Sequence, residues 1–514
     1  MSHRTIDVIG GGPAGLAAAR LIKLADPSSR VTVHERSDSS TSTFGFGVSL
    51  TESTMRNLSA VDPQTAERIR QVSYAGHSLT LRGDDRDVQL HGARNLAVGR
   101  AALLEVLTEA AAAIGVDIRM GSRVDVSDTD ADVVVAADGA RSAVRDKLAA
   151  ELGVHVSYGS LHYMWCGADF AVDTAYFAAR SLDDALFVTH AYPYADGRST
   201  FLIEADEQTW KSARLADNET GLAPGETDEV SVRLLEQAFS ADLHGRKLLT
   251  NRTRWARFPT VRLDRWSHGN VVVLGDAAHT AHYTIGSGTK LALEDAIALA
   301  RSLADTRDVT EAFTRYEAAR RPVVDRFKHL AARSQGWWSS YRNRHDQLPE
   351  RVALSYMTRA GNLSVADYAT AHPEIVQAAL RHLGDAPVTD PAALDDWILS
   401  RPLDHAALTL VRREIDPDAI RDGARVRHLT WTDTDVWGDR ADELVAELES
   451  RSAQTVVMLE GPDDAPSIGA RIDMAERLRW HTASAVVVTL PSVARSEGAA
   501  AVAAGRCDAV VLVR

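Results

Sequence analysis

The chain has 514 residues, 45% of them apolar, and a formal net charge of −14 at neutral pH. That length supports two or three domains with sizeable cores, and the acidic balance argues against nucleic acid or an anionic membrane as the main partner. Two cysteines, Cys166 and Cys507, are too few for a disulfide framework or a zinc site and fit a reducing cytoplasm.

The first predicted element is a buried strand, Ile6-Asp7-Val8-Ile9, which begins too early to leave room for a signal peptide. It runs into Gly10-Gly11-Gly12-Pro13-Ala14-Gly15 and then an Ala/Leu-rich helix. Gly10-x-Gly12-x-x-Gly15 reads as a tight turn that lets backbone approach a pyrophosphate seated on the positive end of that helix. A second strand, Val31-Thr32-Val33-His34-Glu35, ends in an acid twenty residues past Gly15, placed to hold a ribose hydroxyl. Strand, glycines, helix, strand and acid in register indicate a dinucleotide site.

Residues 1–150 continue as alternating strands and helices, the pattern of a parallel sheet with crossovers. Arg100 opens a helix, and the apolar run from Asp132 ends at Asp138-Gly139, followed by Arg141 and Arg145. From Val154 the chain turns aromatic and β-branched. Leu186–Tyr192 and Ser199–Glu204 flank the turn Ala195-Asp196-Gly197, which predicts an antiparallel hairpin. Alternation places Phe187, Thr189 and Ala191 on one face and Val188, His190 and Tyr192 on the other. Residues 230–245 read as helical. The strand Val271–Leu274 ends at Gly275-Asp276, and Gly286-Ser287-Gly288 leads into a long helix from about Thr289 through Glu294-Asp295. An Asp at that strand end can bond a ribityl hydroxyl, and the helix start offers free N–H groups to a flavin's pyrimidine edge. A second helix follows to about Ala332, and a largely helical region runs to about Leu383. Gly384–Pro391 reads as a linker. Beyond it, strands at 455–459, 485–490 and 508–513 alternate with helices at 470–480 and 494–504. No run reaches the ~20 apolar residues of a membrane span.

Three motifs in this order, Gly10 to Gly15, Asp138 to Arg145 and Gly275 to Ala296, make residues 1–385 resemble the single-component FAD-dependent aromatic hydroxylases of the p-hydroxybenzoate hydroxylase fold. The resemblance implies an α/β chain: a Rossmann-like FAD-binding core over 1–384, with an inserted antiparallel-sheet substrate domain at about 154–268. Residues 385–514 would form a separate C-terminal α/β domain. It also implies that Gly10, Gly12, Pro13, Ala14, Gly15, Glu35 and Arg36 hold the ADP half of FAD. Arg100 would lie beside the cofactor, Asp276 on its ribityl portion, and Gly286 and Gly288 at the flavin. Asp138 and Arg145 match a segment tied to both FAD and the nicotinamide donor.

The implied chemistry is reduction of the flavin by NADH or NADPH, oxygen addition at its 4a position, and transfer of the distal peroxide oxygen to an electron-rich ring. The chain departs from the common pattern at Tyr283 and Lys290, where many relatives have proline and asparagine. The loop carrying them would pass the reactive face of the flavin, with His282 and Tyr283 near the ring and His282 able to accept a phenolic proton.

Two further resemblances bear on substrate. The stretch from Tyr158 to Gly167 with Trp165, together with His190 and Tyr192, is similar to the indole hydroxylases of violacein biosynthesis. Residues 503–514 are similar to the closing strand of an old yellow enzyme barrel, although about 130 residues make half a barrel at best and imply no second flavin. A hydroxylase core with such a tail resembles the enzymes acting on salicylyl-CoA and 2-aminobenzoyl-CoA. The implied substrate is an aryl-CoA, foremost salicylyl-CoA hydroxylated at position 5. Anthraniloyl-CoA and an indole or other free aromatic remain as alternatives. Candidate partners for the CoA phosphates are Arg252, Arg254, Arg257, Arg262 and Arg265, with Arg333, Arg342 and Arg344 beside Trp337-Trp338 as an adenine face.

Overall fold

The computed structural model describes residues 3–38, 46–83, 86–219, 221–223, 225–416, 425–449 and 455–513. Contacts divide the chain into two units: Met1–Arg82 with His91–Ala331, and Gly83–Leu90 with Ala332–Arg514.

The first unit holds a six-stranded sheet in the order Ser267–His268, Val271–Val273, Val133–Ala136, Thr5–Ile9, Arg30–His34, Asp117–Arg119. All neighbours are parallel except the first pair. Val133–Ala136 and Val271–Val273 are buried along their whole length, as expected for strands covered on both faces. The helices Pro13–Ala25 and Gly288–Asp305 pack against each other. Gly275 stands against Ala14, so the two glycine-rich turns are neighbours.

An eight-stranded sheet belongs to this unit apart from residues 87–90 of its seventh strand: Ala256–Leu263, Val154–Ala168, Arg198–Ala205, Ala185–Ala195, Ala175–Leu182, Ser73–Arg82, Asp87–Gly99, Gly47–Leu50. The hairpin stands in the expected register, with His190 opposite Leu202. The sheet is larger than the 154–268 insert read from sequence, because three strands before residue 100 join it. It is also mixed, since Ser73–Arg82 runs parallel to Ala175–Leu182. One face builds a core of Met164, Cys166, Phe187, Ala191, Phe201 and Ile203 under Val232, Leu235 and Phe239. Helix Glu229–Ala238 supplies that cover and ends seven residues short of the expected stretch.

The second unit carries a parallel five-stranded sheet in the order Glu414–Ile415, Ala509–Val513, Ala485–Pro491, Val456–Glu460, Val426–Thr430. Among the described residues this is three strands fewer than an eight-stranded barrel. Arg514 lies outside them. The linker-like stretch 384–391 is not where contacts divide the chain. Leu354, Val365, Tyr368 and Leu380 share one core with Leu394, Ile398, Leu459 and Val488. Helices Pro349–Thr358, Val365–Ala371 and Pro373–Leu380 bury their apolar faces there, so the contact boundary falls at 331/332.

Candidate active site

The three glycines of the first turn do different work. Gly10 has φ +113°, and a Cβ there would overlap the Ala137 carbonyl; a Cβ on Gly15 would overlap the Gly10 carbonyl. Both let the strand, the helix and the neighbouring strand close on one another. Gly12 is the N-cap of helix Pro13–Ala25, has no side-chain cap, and would meet nothing within 4 Å of an added Cβ. Open space at an uncapped helix start suits a pyrophosphate. Glu35 Oε2 accepts from the Gly11 N–H at 2.8 Å and Oε1 from the Ser37 N–H at 2.8 Å, which fixes the acid at the rim of this turn. Arg36 is exposed.

The second motif is partly self-supporting. The N–H groups of Ala143 and Val144 donate to Asp138 Oδ2 at 2.7 and 3.3 Å, and Arg145 Nη2 donates to the Ala140 carbonyl. Asp138 Oδ1 and Arg145 Nη1 are buried with no hydrogen-bond partner among the described residues, and Gly139 beside them faces open space.

Asp276 follows the third strand. Its side chain has a large accessible area, yet surrounding protein raises its carboxyl pKa, with His279 and Arg100 pulling the other way. Both facts fit a carboxylate at the floor of a slot. Asp295, fully buried, holds the turn together. Its Oδ2 accepts from the Gly275 N–H at 3.1 Å and pairs with His279 Nε2 at 2.7 Å, while Arg320 Nε donates to Oδ1 at 2.8 Å. Gly286 has φ +62°, Gly288 faces open space, and the helix it opens has no side-chain cap. Lys290 is held by Glu294 Oε1 at 2.9 Å, an i,i+4 pair on that helix. Two uncapped helix starts, an orphaned carboxylate oxygen at Asp138 and a slot-floor carboxylate at Asp276 match the phosphates, ribityl hydroxyls and pyrimidine edge of FAD.

The loop after Asp276 meets the second face of the large sheet. His282 and Tyr283 rings lie 4.1 Å apart between centroids, Phe258 stands 5.0 Å from His282, and Tyr163 stands 5.1 Å from Tyr283. Trp165 and His190 approach Tyr283 at 6.4 and 6.3 Å. Val188, His190 and Tyr192 lie on the face opposite the Phe187–Phe201 core, and His190 approaches this loop. At the centre is Glu204, 2% exposed. The Tyr283 hydroxyl donates to its Oε1 at 2.7 Å, and His190 Nε2 lies 3.1 Å from Oε2. Burial works against its charge, but His190, His282 and Tyr283 together hold its pKa below the usual range. Burial lowers His282 to about 4, and Tyr283 is raised by burial and by the adjacent carboxylate.

Sequence reasoning missed Glu204 and Asp295 as site residues. Glu204 sits two residues from Leu202, the partner of His190, and an acid inside the β-branched run Ser199–Glu204 was the available signal. Tyr192 is at the edge: its hydroxyl donates to the Gly47 carbonyl at 2.7 Å, so that group is already engaged. Arg257 and Arg262 are exposed on the sheet's edge strand, bonded to the Gly159 carbonyl and Asp264. The proposed adenine face is corrected. Trp337 and Trp338 are 3% and 2% exposed, Trp337 Nε1 donates to Ser355 Oγ, and Arg344 is committed to Glu476. They are core, with no ring face to offer.

Comparison with known proteins agrees with this geometry. The FAD binding domain family matches residues 3–133 and 125–331. Salicyloyl-CoA 5-hydroxylase of Streptomyces sp. is 38% identical over 376 residues, 70% of this chain and 71% of that protein. The 3-hydroxy-4-methyl-anthranilyl-[aryl-carrier protein] 5-monooxygenase of Streptosporangium sibiricum is 37% identical over 364 residues, 71% and 96% of the two chains. In fold, a crystal structure of 2-methyl-3-hydroxypyridine-5-carboxylic acid oxygenase matches with a TM-score of 0.54 at 20% identity, covering 69% of this chain and 96% of that one. This chain belongs to the FAD-binding family of flavin-dependent monooxygenases, as a single-component aromatic hydroxylase.

Proposed function

We propose that the enzyme hydroxylates the ring of an aryl thioester, salicylyl-CoA at position 5 first among them, at the expense of NADH or NADPH. The single observation that supports this most is the buried Glu204 carboxylate shared by Tyr283 and His190 on the aromatic sheet face. FAD, held by the Gly12 turn, the slot floor at Asp276 and the helix start at Gly288, supplies activation of molecular oxygen. The remaining work is done by side chains. Glu204 is ionised, so the Tyr283 hydroxyl and a His190 Nε2–H both point their protons at it. Tyr283 is then left with lone pairs, as an acceptor. His282, neutral at physiological pH, ties Nδ1 to Thr284 Oγ1 at 3.2 Å. A ring bearing an O–H or N–H donor thus finds acceptors, which draw its proton away and enrich the ring toward an electrophilic oxygen. Phe258, Tyr163 and Trp165 supply apolar wall and exclude water.

His282 serves this reading as a hydrogen-bond acceptor, since a base near 4 takes little of a phenolic proton. Arg257 and Arg262 on the edge strand, with Arg252, Arg254 and Arg265 in the segments that flank it, are proposed to meet the phosphates of the thioester carrier. A second reading, anthraniloyl-CoA, draws on the anthranilyl thioester named for the Streptosporangium relative and needs the same acceptors for an amino group. The test is a screen of salicylyl-CoA, anthraniloyl-CoA, their free acids and indole for acceleration of flavin reduction with formation of a hydroxylated product. Stimulation by the thioesters and not the free acids is expected. Preference for a free aromatic would overturn the thioester assignment.

A further inference from the structure

The second unit contains a cavity of about 230 Å³ that the hydroxylase reaction does not use. Its wall includes Arg333, Arg506 and Glu497 with an apolar side of Leu363, Ile472 and Ala500.

The arginines around it are unevenly paired. The side chains of Arg333, Arg344 and Arg506 are 7%, 2% and 4% exposed, and Arg359 is 8% exposed. Two carboxylates are paired within this group. Asp473 takes Arg333 Nε and Nη2 at 3.0 and 3.1 Å, and Glu476 takes Arg344 Nη2 at 2.7 Å. Arg506 reaches those same carboxylates only at 3.6 Å, and its Nε is buried with no hydrogen-bond partner among the described residues. Its Nη1 donates to the Arg359 carbonyl at 3.2 Å. Arg359 itself is met by neutral groups, Ser334 Oγ and the Tyr356 carbonyl, and lies over the Tyr356 ring. Among the described residues, the Arg506 guanidinium is therefore left with long ion pairs, while Asp473 and Glu476 are engaged at short range by Arg333 and Arg344. Glu497 also lines the cavity and sits in the field of Arg333, a third carboxylate that serves Arg333 and not Arg506. Asp367, also in the wall, accepts from the Ser364 hydroxyl and N–H in the capping box of helix Val365–Ala371. An unpaired buried cation is costly, and a small anion would relieve it.

We propose that this cavity binds a small organic carboxylate, its charged end toward Arg506 and Arg333 and its apolar body against Leu363, Ile472 and Ala500. The volume lies below the roughly 300–1,000 Å³ of drug-sized sites, which sets the ligand at small-acid size and excludes an aryl-CoA. The site stands apart from the hydroxylase reading and does not rest on it.

The test is isothermal titration of the FAD-loaded enzyme, in carboxylate-free buffer, with cyclohexanecarboxylate, cyclohexanecarboxamide and inorganic phosphate. One carboxylate per chain should bind, and the neutral amide should not. Arg506→Gln should weaken binding about tenfold or more, the scale of a charge-assisted contact. Because a buried arginine variant can fail to fold, the second arm uses Val493, which lines the cavity at 93% exposure. Val493→Glu should weaken the carboxylate several-fold and Val493→Lys should tighten it at low salt, both with normal FAD content. Equal binding of the amide, binding of phosphate in place of the carboxylate, or indifference to both Val493 changes would overturn the proposal.

Discussion

The cofactor cradle and the aromatic sheet face sit in the same unit but are made of different material. The cradle is mostly backbone: glycine turns, uncapped helix starts and two strand-end carboxylates, each built within about fifteen consecutive residues. The sheet face is all side chains, gathered from Tyr163, Trp165, His190, Glu204, Phe258, His282 and Tyr283. Local backbone geometry leaves a mark in sequence because it demands glycine and a strand-to-helix switch at fixed spacing. A face assembled by strand pairing leaves only alternation, which says which residues share a side and not what they meet.

The largest effect should come from the cradle. Gly12→Val is expected to fold, since a side chain there meets nothing within 4 Å, and to lose FAD altogether. Gly10→Val should instead fail to fold, because its Cβ would overlap the Ala137 carbonyl. Flavin absorbance and thermal melts of the two variants separate these outcomes. Normal FAD occupancy in Gly12→Val would end the division of labour among the glycines.

Asp295→Ala comes next. It leaves His279 and the Gly275 N–H without their acceptor and Arg320 with Glu294 alone, a loss of about 3–5 kcal/mol, seen as a lower Tm together with weaker FAD retention. Unchanged FAD affinity would show that Asp295 stabilises the helix without shaping the turn.

The sheet face should show itself in acid. His282 titrates at about 4 in the folded protein against 6.5 unfolded. Between those values the unfolded chain binds the extra proton, so stability falls as pH drops from 6.5 toward 4, by about 3 kcal/mol at the bottom of the window. Loss of Glu204's depressed pKa adds to the decline in the same direction at lower pH. Denaturant melts of His282→Gln should show a flatter acid limb than the parent. An identical limb would mean that His282 does not stay neutral in the fold.

The smallest effect is expected at the edge of the face. Tyr192→Phe should cost about 1 kcal/mol, since its hydroxyl serves the Gly47 carbonyl, with the substrate KM unchanged. A raised KM would return Tyr192 to the substrate.

Most of the first unit was legible from sequence, down to the hairpin turn at 195–197 and the strand that leads into Gly275-Asp276. Strands before residue 100 were not assigned to the large sheet, because joining it depends on pairing across more than seventy residues. In the second unit, Gly384–Pro391 has the composition of a linker yet lies inside one core; which helices cover a sheet is decided by apolar faces meeting in space. Trp337 and Trp338 show the same limit, since two aromatics beside arginines read alike as a ligand face or as core. Glu204 escaped notice because a lone acid in a strand carries no spacing signature until its partners arrive from 190 and 283.

The most direct measurement is the ratio of hydroxylated product to nicotinamide oxidised with salicylyl-CoA, in the parent enzyme and in Glu204→Gln. The uncharged amide should leave FAD content intact but lose the fixed polarity of Tyr283 and His190. The account predicts tight coupling in the parent, and in the variant a fall in product of about tenfold or more with hydrogen peroxide in its place. Equal coupling in the two proteins would contradict it.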